Sequence, residues 1–361
     1  MKNNLIVILL CSFSICFGQI PAGYYNTATG SGYTLKTQLF NIIKVSNDRG
    51  YSGLYTTYLT SDIDSFYEND GTMLDMYSEN PTGPECAFTY GVGQDDGTQG
   101  SNECERYNRE HLVPQSVFGA QTPMFSDAHF VVPADKFVNA QRGDLPFGRV
   151  GNANWTGTNG TKRGSNLNSG YSAGYNGTVF EPINEFKGDI ARCLLYFATR
   201  YEDLVGSYSY EMFNGTSTQV FTQPFLNILL TWNALDPVSQ REIVRNNAIG
   251  TNARQRNRNP FIDNNSYVTS IWGSPLGISQ FDLINSTQVF PNPTTTNSVQ
   301  ISATIPIESI SLISINGQLI KTITNPVAVQ NIYTLDQLTQ GFYLLRITSG
   351  EFSTTKKLIV E

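Results

Sequence analysis

The chain reads Tyr107-Asn108-Arg109-Glu110-His111-Leu112-Val113-Pro114 near the end of its first third, and this stretch decides the fold. Two further strings follow it, Ser126-Asp127-Ala128-His129 and Asn139-Ala140-Gln141-Arg142-Gly143. The 361 residues contain only two histidines, and both lie in this region. An imidazole beside a carboxylate, upstream of an amide and a guanidinium, supplies the groups that metal-assisted hydrolysis of a phosphodiester requires.

Each of these side chains suits one part of that reaction. His111 titrates in the range in which it can accept a proton from water. The carboxylate of Glu110 and the amide oxygen of Asn139 are hard ligands of the kind Mg²⁺ binds, with water and substrate phosphate filling its other positions. Arg142 lies one helical turn after Asn139 and is suited to grip a phosphate through two parallel hydrogen bonds. We therefore predict His111 and Arg142 as catalytic residues and Glu110 and Asn139 as metal ligands.

The local pattern predicts two extended segments followed by a helix. The extended segments carry Glu110-His111 and His129, and the helix spans residues 133–143, with proline in its first turn and glycine just past its end. Together they would form a ββα unit around one metal. For Asp127 and His129 we expect a supporting role, in which they bind each other or cap the helix, in preference to direct catalysis.

These strings resemble the bacterial endonuclease I family, which are secreted or periplasmic nucleases of the His-Me finger (ββα-metal) type. Similar segments occur at 20–25, 75–81, 180–192 and 257–263, so the likeness covers about residues 20–275. It implies an α+β fold, mainly helical around the ββα-metal motif. It also implies that His111 is the general base, that Glu110 and Asn139 bind a single Mg²⁺, with Mn²⁺ or Ca²⁺ as substitutes, and that products carry 5′-phosphates. Some relatives have a glutamate where this chain has Phe125, so its role does not transfer.

The net charge of −7 argues at first against a nucleic-acid partner, but the charges are unevenly distributed. Residues 48–110 hold 13 acids against three bases, whereas residues 241–258 hold five arginines and one glutamate. An arginine-rich surface of this kind would contact the phosphates of a nucleic acid. Such contacts fix the position of the protein on the nucleic acid without reading its base sequence, so we expect low sequence specificity. For any single arginine, a solvated and salt-bridged position is the alternative. The predicted substrate-binding residues are Arg109, Arg254, Arg256 and Arg258, with Arg149, Lys162 and Arg163 as further candidates for the same surface.

The first residues predict a signal peptide over 1–18. Lys2 precedes an apolar stretch at 5–17, and Gly18 is small. A lipoprotein signal at Cys16 is the alternative, although the bulky Ile15 precedes that cysteine. No other stretch is apolar for long enough to cross a bilayer. We therefore expect a protein that is extracellular or attached to the cell surface, without stable membrane insertion.

Removal of the signal would leave three cysteines. The oxidising compartment permits a disulfide between Cys86 and Cys104, which would brace the segment that leads into Glu110. Cys193 lies in an apolar helical stripe at 190–201, so a buried free thiol is expected there. Residues 151–175 are rich in glycine, asparagine, serine and threonine, which predicts a long surface loop.

The C-terminal part changes character after a catalytic domain at 19–280. A linker is expected at 281–291, and residues 292–361 alternate like strands, with hairpin turns at 315–317 and 349–350. The run Phe290-Pro291-Asn292-Pro293 and the terminal Lys356-Lys357-Leu358-Ile359 resemble the C-terminal sorting domains of the type IX secretion system of Bacteroidetes. That likeness implies an Ig-like β-sandwich and export by the type IX machinery. An adhesive or spacer module is the alternative.

These observations predict a secreted, monomeric, Mg²⁺-dependent endonuclease of low sequence specificity. Its substrate is expected to be DNA, with RNA as a second candidate. Two other functions are open: a catalytically inactive nuclease fold that serves as a surface adhesin or binding protein, and a phosphodiesterase for small substrates.

Overall fold

The computed structural model describes residues 20–98, 100–273, 283, 286–303, 307–324, 326–328, 331–349 and 352–361. The signal peptide expected at 1–18 lies outside these residues. Within them, every helix is too short or too polar to span a bilayer.

Up to residue 273, the described residues form helices and short strands. From residue 287 onward, the regular elements are all strands. The helices are α1 Gly32–Ile43, α2 Gly50–Ser61, α3 Lys136–Arg142, α4 Lys187–Arg200, α5 Gln223–Leu235, α6 Gln240–Ile249, α7 Pro260–Asp263 and α8 Ser266–Trp272. The strands are β1 Tyr107–His111, β2 Val131–Asp135, β3 Val150–Thr156, β4 Lys162–Asn166, β5 Thr178–Glu181, β6 Thr287–Phe290, β7 Val299–Ala303, β8 Ser309–Ser314, β9 Leu319–Thr324, β10 Ile332–Leu335, β11 Gly341–Ser349 and β12 Phe352–Val360.

Strands β1 and β2 form a two-stranded antiparallel sheet, and β2 runs directly into α3. The helix expected over 133–143 begins only at Lys136, because Pro133 belongs to β2, where it lies opposite Arg109. A proline is tolerated there because each strand of a two-stranded sheet is an edge strand. Asp135 caps α3 by accepting hydrogen bonds from the amides of Phe137 and Val138. His129 lies in the turn at 128–130 that precedes β2, so its predicted place on an extended segment is wrong.

Residues 151–175 contain strands and are not the long loop that their composition suggested. β4 pairs with both β3 and β5 in an antiparallel three-stranded sheet. Most residues of β3 are exposed, and β4 buries only Gly164 and Asn166. This sheet therefore needs few apolar side chains, which is why its sequence lacks the alternation that marks a half-buried strand.

Helix α4 is the centre of the first hydrophobic core. Every residue from 188 to 200 is buried. The apolar stripe at 190–201 predicted burial of one face of this helix, and the structure buries the other faces as well. α1, α5 and α7 pack around it. Cys193 is buried and free, and burial raises the pKa of its thiol to about 12. The ββα unit is held in this core through Phe130, Val131 and Val138.

The C-terminal strands form two sheets around a second core. One sheet has the order β10-β7-β6 and the other β12-β11-β8-β9, with antiparallel pairing throughout. Alternate residues of β11 point inward, including Leu345 and Ile347. This is a β-rich region consistent with an Ig-like sandwich. Strand β6 lies within the segment expected to be a linker at 281–291, because its backbone pairs with β7.

Candidate active site

A cleft of about 330 Å³ opens where β1, α3 and the first turn of α2 meet. It is lined by His111, Glu110 and Asn139, and also by Arg109, Asn108 and Tyr51. The fold therefore brings the predicted base and both predicted metal ligands to one cavity, although Asn139 follows His111 by 28 positions.

The hydrogen bond of the His111 ring determines which of its nitrogens can act as a base. Nε2 lies 3.2 Å from the carbonyl oxygen of Phe125. A carbonyl can only accept, so Nε2 carries the hydrogen and the lone pair of the neutral ring is on Nδ1. No partner of Nδ1 is found in the described part of the chain. Burial lowers the pKa of His111 to about 4, so the ring is neutral near pH 7.

Aromatic rings fix the plane of the His111 imidazole. Phe125 stacks on it with a centroid distance of 5.4 Å, and Tyr51 lies at 5.9 Å on a nearly parallel plane. Phe118 and Phe130 contact it at steeper angles. The ring therefore keeps one orientation, with Nε2 on the Phe125 carbonyl.

Glu110 is only 3% exposed and is held through one of its two carboxylate oxygens. Oε1 accepts hydrogen bonds from the Tyr77 hydroxyl at 2.7 Å and from Nη1 of Arg142 at 2.9 Å. Within the residues that the structure describes, Oε2 has no hydrogen-bond partner. Burial raises the pKa of Glu110, and the charge of Arg142 acts against that rise. Oε2 is thus a hard ligand atom without a protein donor.

Asn139 is half-buried on α3 and leaves its amide oxygen available in the same way. Its Nδ2 donates to Oδ1 of Asn108 at 2.9 Å. No donor to Oδ1 of Asn139 is found among the described residues. An amide whose nitrogen is engaged presents its oxygen, which is the atom that a metal binds.

The N–H groups of Arg142 are occupied within the protein, which contradicts the prediction that Arg142 grips a phosphate. The side chain is 1% exposed, and all five of its N–H groups are engaged. Nε donates to the Leu145 carbonyl, Nη1 to Glu110 and the His111 carbonyl, and Nη2 to the Leu112 carbonyl and the Tyr210 hydroxyl. Arg142 therefore positions Glu110 and the end of β1 and has no donor left for substrate.

Arg109 does line the cleft, and its guanidinium lies on aromatic faces. Its Cζ is 3.5 Å from the ring centroid of Tyr51 and 4.3 Å from that of Tyr55. Nη1 donates to the Tyr51 carbonyl at 3.0 Å, whereas the buried Nε has no partner. Stacking fixes the plane of the guanidinium and leaves N–H groups for an anion.

The other three predicted substrate-binding arginines do not line the cleft. Arg258 is buried and forms a bidentate ion pair with Asp263 at 2.6 Å, so its prediction as a phosphate ligand is wrong. Arg254 is half-buried beside Thr60, and Arg256 is exposed with a φ of 77°. Charge runs in the sequence do not show which arginines have a buried carboxylate partner.

Comparison with known proteins identifies the family of the chain. The sequence model of the endonuclease I family matches residues 31–266, about two thirds of the chain. The chain belongs to the endonuclease I family. It is 32% identical over 255 residues to the extracellular ribonuclease of Bacillus amyloliquefaciens, and 31% identical over 255 residues to that of Bacillus subtilis (strain 168). Each alignment covers 69% of this chain and 78% of the relative.

The second module also has a match. Residues 288–361 match the secretion system C-terminal sorting domain. One solved structure comes from a study of PorZ, a surface component of the type IX secretion system of Porphyromonas gingivalis. Its sequence is 12% identical to this chain, and the TM-score of the match is 0.19. That match covers 23% of this chain and 12% of PorZ, and a score so low carries no argument.

The family and its relatives show that this endonuclease I protein is a nuclease enzyme that is secreted or associated with the cell surface. Nucleases of this family generally use a divalent metal ion. The cleft fits one, because Oε2 of Glu110 and Oδ1 of Asn139 are oxygen ligands without protein donors among the described residues. The C-terminal module implies the secretion machinery as a partner.

Asp127 and His129 lie in a buried network behind the cleft of the endonuclease I domain. Oδ2 of Asp127 accepts from the hydroxyls of Tyr196 and Tyr201, and Oδ1 accepts from Nε2 of Gln255. Nε2 of His129 donates to the Asn257 carbonyl at 3.0 Å. Neither residue lines the cleft.

A disulfide joins Cys86 to Cys104, with Cα atoms 4.7 Å apart. The amide of Cys104 donates to Oδ2 of Asp135, the residue that caps α3. The bridge is therefore connected to the start of the helix that carries Asn139.

Sequence reasoning missed three contributors to this site. Tyr77 holds Glu110, the carbonyl of Phe125 orients His111, and Tyr51 carries Arg109. Tyr77 lies in the family-like segment 75–81, which was the available signal. The Phe125 carbonyl belongs to the backbone, so the residue type gave no signal for its hydrogen bond to His111.

Proposed function

We propose that the chain is a secreted, Mg²⁺-dependent endonuclease of the His-Me finger type that hydrolyses phosphodiester bonds of DNA and RNA with little sequence preference. The observation that carries this proposal is that Nδ1 of His111 and Oε2 of its neighbour Glu110 line one cleft and neither atom has a hydrogen-bond partner among the described residues. A base beside a cation ligand is what attack of water on a phosphodiester requires.

In the proposed reaction, Nδ1 of His111 accepts the proton of the attacking water. The Phe125 carbonyl stabilises the charged ring that results, because it accepts the Nε2 hydrogen in both states. Glu110 and Asn139 would hold one Mg²⁺, with Mn²⁺ or Ca²⁺ as substitutes. When bound, the ion neutralises the charge that develops on the phosphate and the 3′ leaving oxygen. Arg109 binds a phosphate through its free N–H groups. Products then carry 5′-phosphates.

Both nucleic acids are proposed as substrates because the nucleophile is a water. A ribonuclease that uses the 2′-hydroxyl of RNA as its nucleophile cannot cut DNA, whereas a base that activates water can cut either. The curated relatives are named extracellular ribonucleases, which supports RNA as a substrate. End-group analysis should find 5′-phosphates on both polymers. Intact DNA together with 2′,3′-cyclic phosphates on RNA would contradict the proposal.

Variants of the adjacent pair separate the base from the metal ligand. His111→Ala should lower turnover by about 10²–10⁴-fold, the usual contribution of a general base, and leave metal affinity largely intact. Glu110→Gln keeps an oxygen for Tyr77 and Arg142 to bind but loses the charge, so metal affinity and turnover should both fall. Steady-state nuclease assays with metal titration measure the two effects. Near-wild-type turnover of His111→Ala would refute the role of the base.

Incubating the protein with plasmid and Mg²⁺, with and without EDTA, tests the whole proposal. Cleavage that EDTA abolishes is expected. A surface protein with an inactive nuclease fold would leave the plasmid intact, and a phosphodiesterase for small substrates would cut chromogenic diesters only.

A further inference from the structure

Five carboxylates gather in the segment between α2 and Cys86, away from the cleft. Asp64, Asp70 and Glu85 form one triad and Glu68, Glu79 and Glu85 a second, and within each triad one oxygen per residue lies within 4.8 Å of the others. We call these five residues the acidic cluster. None of them lines the cleft that contains Glu110.

A group of acids on a surface is common without a ligand, but Glu79 is not on the surface. Its side chain is 1% exposed, and among the described residues no donor is hydrogen-bonded to its Oε1 or Oε2, which face the carboxyl group of Glu85. In the same part of the chain, no donor reaches the buried Oε1 of Glu85. An ionised carboxylate buried without a donor is costly, since it gives up its hydration and gains no compensating bond.

The charges that act on Glu79 come from the cluster itself. Glu68 and Glu85 each place a carboxylate oxygen within 4.8 Å of an oxygen of Glu79, so like charges face one another at a buried position. A cation in the cluster would remove both the repulsion and the missing bonds.

The loop that carries the cluster is organised by backbone donors. Oδ1 of Asp64 accepts from the amides of Phe66 and Tyr67, and Oδ2 accepts from the amide of Asn69. Asp70 accepts from the amide of Thr72. Asp64 and Asp70 are thus held in place, and lone pairs on their oxygens remain for a further ligand.

We propose that the acidic cluster binds Ca²⁺ at a site separate from the catalytic one. Ca²⁺ takes six to eight oxygen ligands at about 2.3–2.6 Å, so two ligands of one ion lie up to about 5 Å apart, which the triads satisfy. Mg²⁺ keeps most of its waters and uses one or two carboxylates, so a triad of carboxylates favours Ca²⁺. Glu85 belongs to both triads, and Glu79 is the most deeply buried member of the second, so the ion is assigned to the triad of Glu68, Glu79 and Glu85.

Binding there would fix the segment that supports the catalytic cleft. Tyr77, whose hydroxyl holds Glu110, lies two residues before Glu79. Cys86, which is bonded to Cys104, follows Glu85 directly. The site would then stabilise the protein outside the cell, where extracellular modules bind Ca²⁺ with dissociation constants of about 10⁻⁴–10⁻³ M.

The test separates this site from the catalytic metal. The full chain carrying Glu110→Gln and Asn139→Ala, which lacks the proposed catalytic ligands, is stripped with EDTA and titrated with Ca²⁺ by calorimetry and thermal melting. It should still bind Ca²⁺, and its melting temperature should rise with Ca²⁺ concentration. Adding Glu79→Gln should weaken binding at least ten-fold and abolish the rise. Glu308→Gln, an exposed glutamate of the C-terminal module, is the matched control and should change neither.

The order of the melting temperatures keeps the result interpretable if Glu79→Gln alters folding. In EDTA, Glu79→Gln should melt at or above its parent, because it removes a buried carboxyl without a partner. In Ca²⁺ the order should reverse. An equal response to Ca²⁺ in both proteins would overturn the proposal. It would also be overturned if neither protein responded to Ca²⁺ and the melting temperature of the parent rose on acidification. That result would show that the acidic cluster shares a proton and does not bind a cation.

Discussion

His111 and Glu110 are consecutive residues of a strand, which places their side chains on opposite faces of the sheet. Glu110 points to the buried side, where Arg142 and Tyr77 hold it, and His111 points to the rings of Phe125 and Tyr51. Both still line one cleft because His111 is the last residue of β1. The end of a strand thus lets the side chains of neighbouring residues line the same cleft.

The two arginines beside the cleft should respond differently to removal. Arg142→Ala leaves the buried Glu110 without its counter-charge and should cost about 3–5 kcal/mol of unfolding free energy, as removal of one partner of a buried ion pair does. Arg109→Ala breaks no ion pair among the described residues, so stability should fall less and KM for nucleic acid should rise. Urea unfolding and nuclease kinetics on both variants measure this. Equal losses of stability would contradict the assignment.

His129 should make the stability depend on pH. Burial lowers the pKa of its ring to about 4, and Asp127 and the Asn257 carbonyl offset this only in part. Between pH 6.5 and 4 the unfolded chain therefore binds a proton that the folded protein does not, so the free energy of unfolding falls as pH falls, by up to about 1.4 kcal/mol per pH unit.

The comparison with His129→Gln isolates that effect, because the glutamine amide can still donate to the Asn257 carbonyl. The variant should be less stable than the wild type at pH 7, and the difference should shrink as pH falls from 6.5 to 4. Urea titrations at several pH values measure it. A difference that stays constant over this range would show that His129 is not the titrating group.

At the scale of elements, helix α3 depends on its N-cap residue, Asp135. Both Asn139 and Arg142 lie on this seven-residue helix, which is too short to be stable by itself. Asp135 caps it and also accepts from the Cys104 amide. The position of Asn139 in the cleft therefore depends on a contact made at the end of β2.

Asp135→Ala should lower the free energy of unfolding by about 0.5–2 kcal/mol through loss of the cap, and by more if the Cys104 amide stays unpaired. Asp135→Asn retains an oxygen for the amides of Phe137 and Val138 and should recover most of the cap. Nuclease activity should follow the same order. Equal stability of the two variants would show that the cap contributes nothing.

The sequence predicted features that depend on residues a few positions apart. It did not predict features that depend on contacts between residues far apart in the chain. The strings around His111 and Asn139 predicted the residues that meet in the cleft, because turn and strand patterns are read within a few positions. The five donors of Arg142 are occupied by groups that include Glu110 and Tyr210, 32 and 68 positions away, so its loss as a phosphate ligand was invisible. The exposed sheet of β3 and β4 was missed because it buries little apolar surface.

At the scale of the whole molecule, the two large hydrophobic cores of the described residues have no member in common, and a third, small cluster contains Met73, Cys86, Phe88 and Tyr107. The first core uses residues from 35 to 271 and the second residues from 283 to 360. Every residue that lines the cleft lies between 51 and 144. The proposed nuclease site thus lies in the first part of the chain, and no described residue of the sorting module lines the cleft.

A chain ending at residue 280 should therefore retain nuclease activity. Because the first core is complete without the C-terminal strands, kcat/KM of residues 19–280 should lie within about two-fold of that of residues 19–361, and the thermal unfolding of the shorter chain should remain a single cooperative transition. In cells with a type IX secretion system, the shorter chain should stay inside the cell envelope. Kinetics on both purified chains and fractionation of cultures measure the two effects. A shorter chain that folds cooperatively but has lost its activity would mean that the sorting module completes the nuclease site.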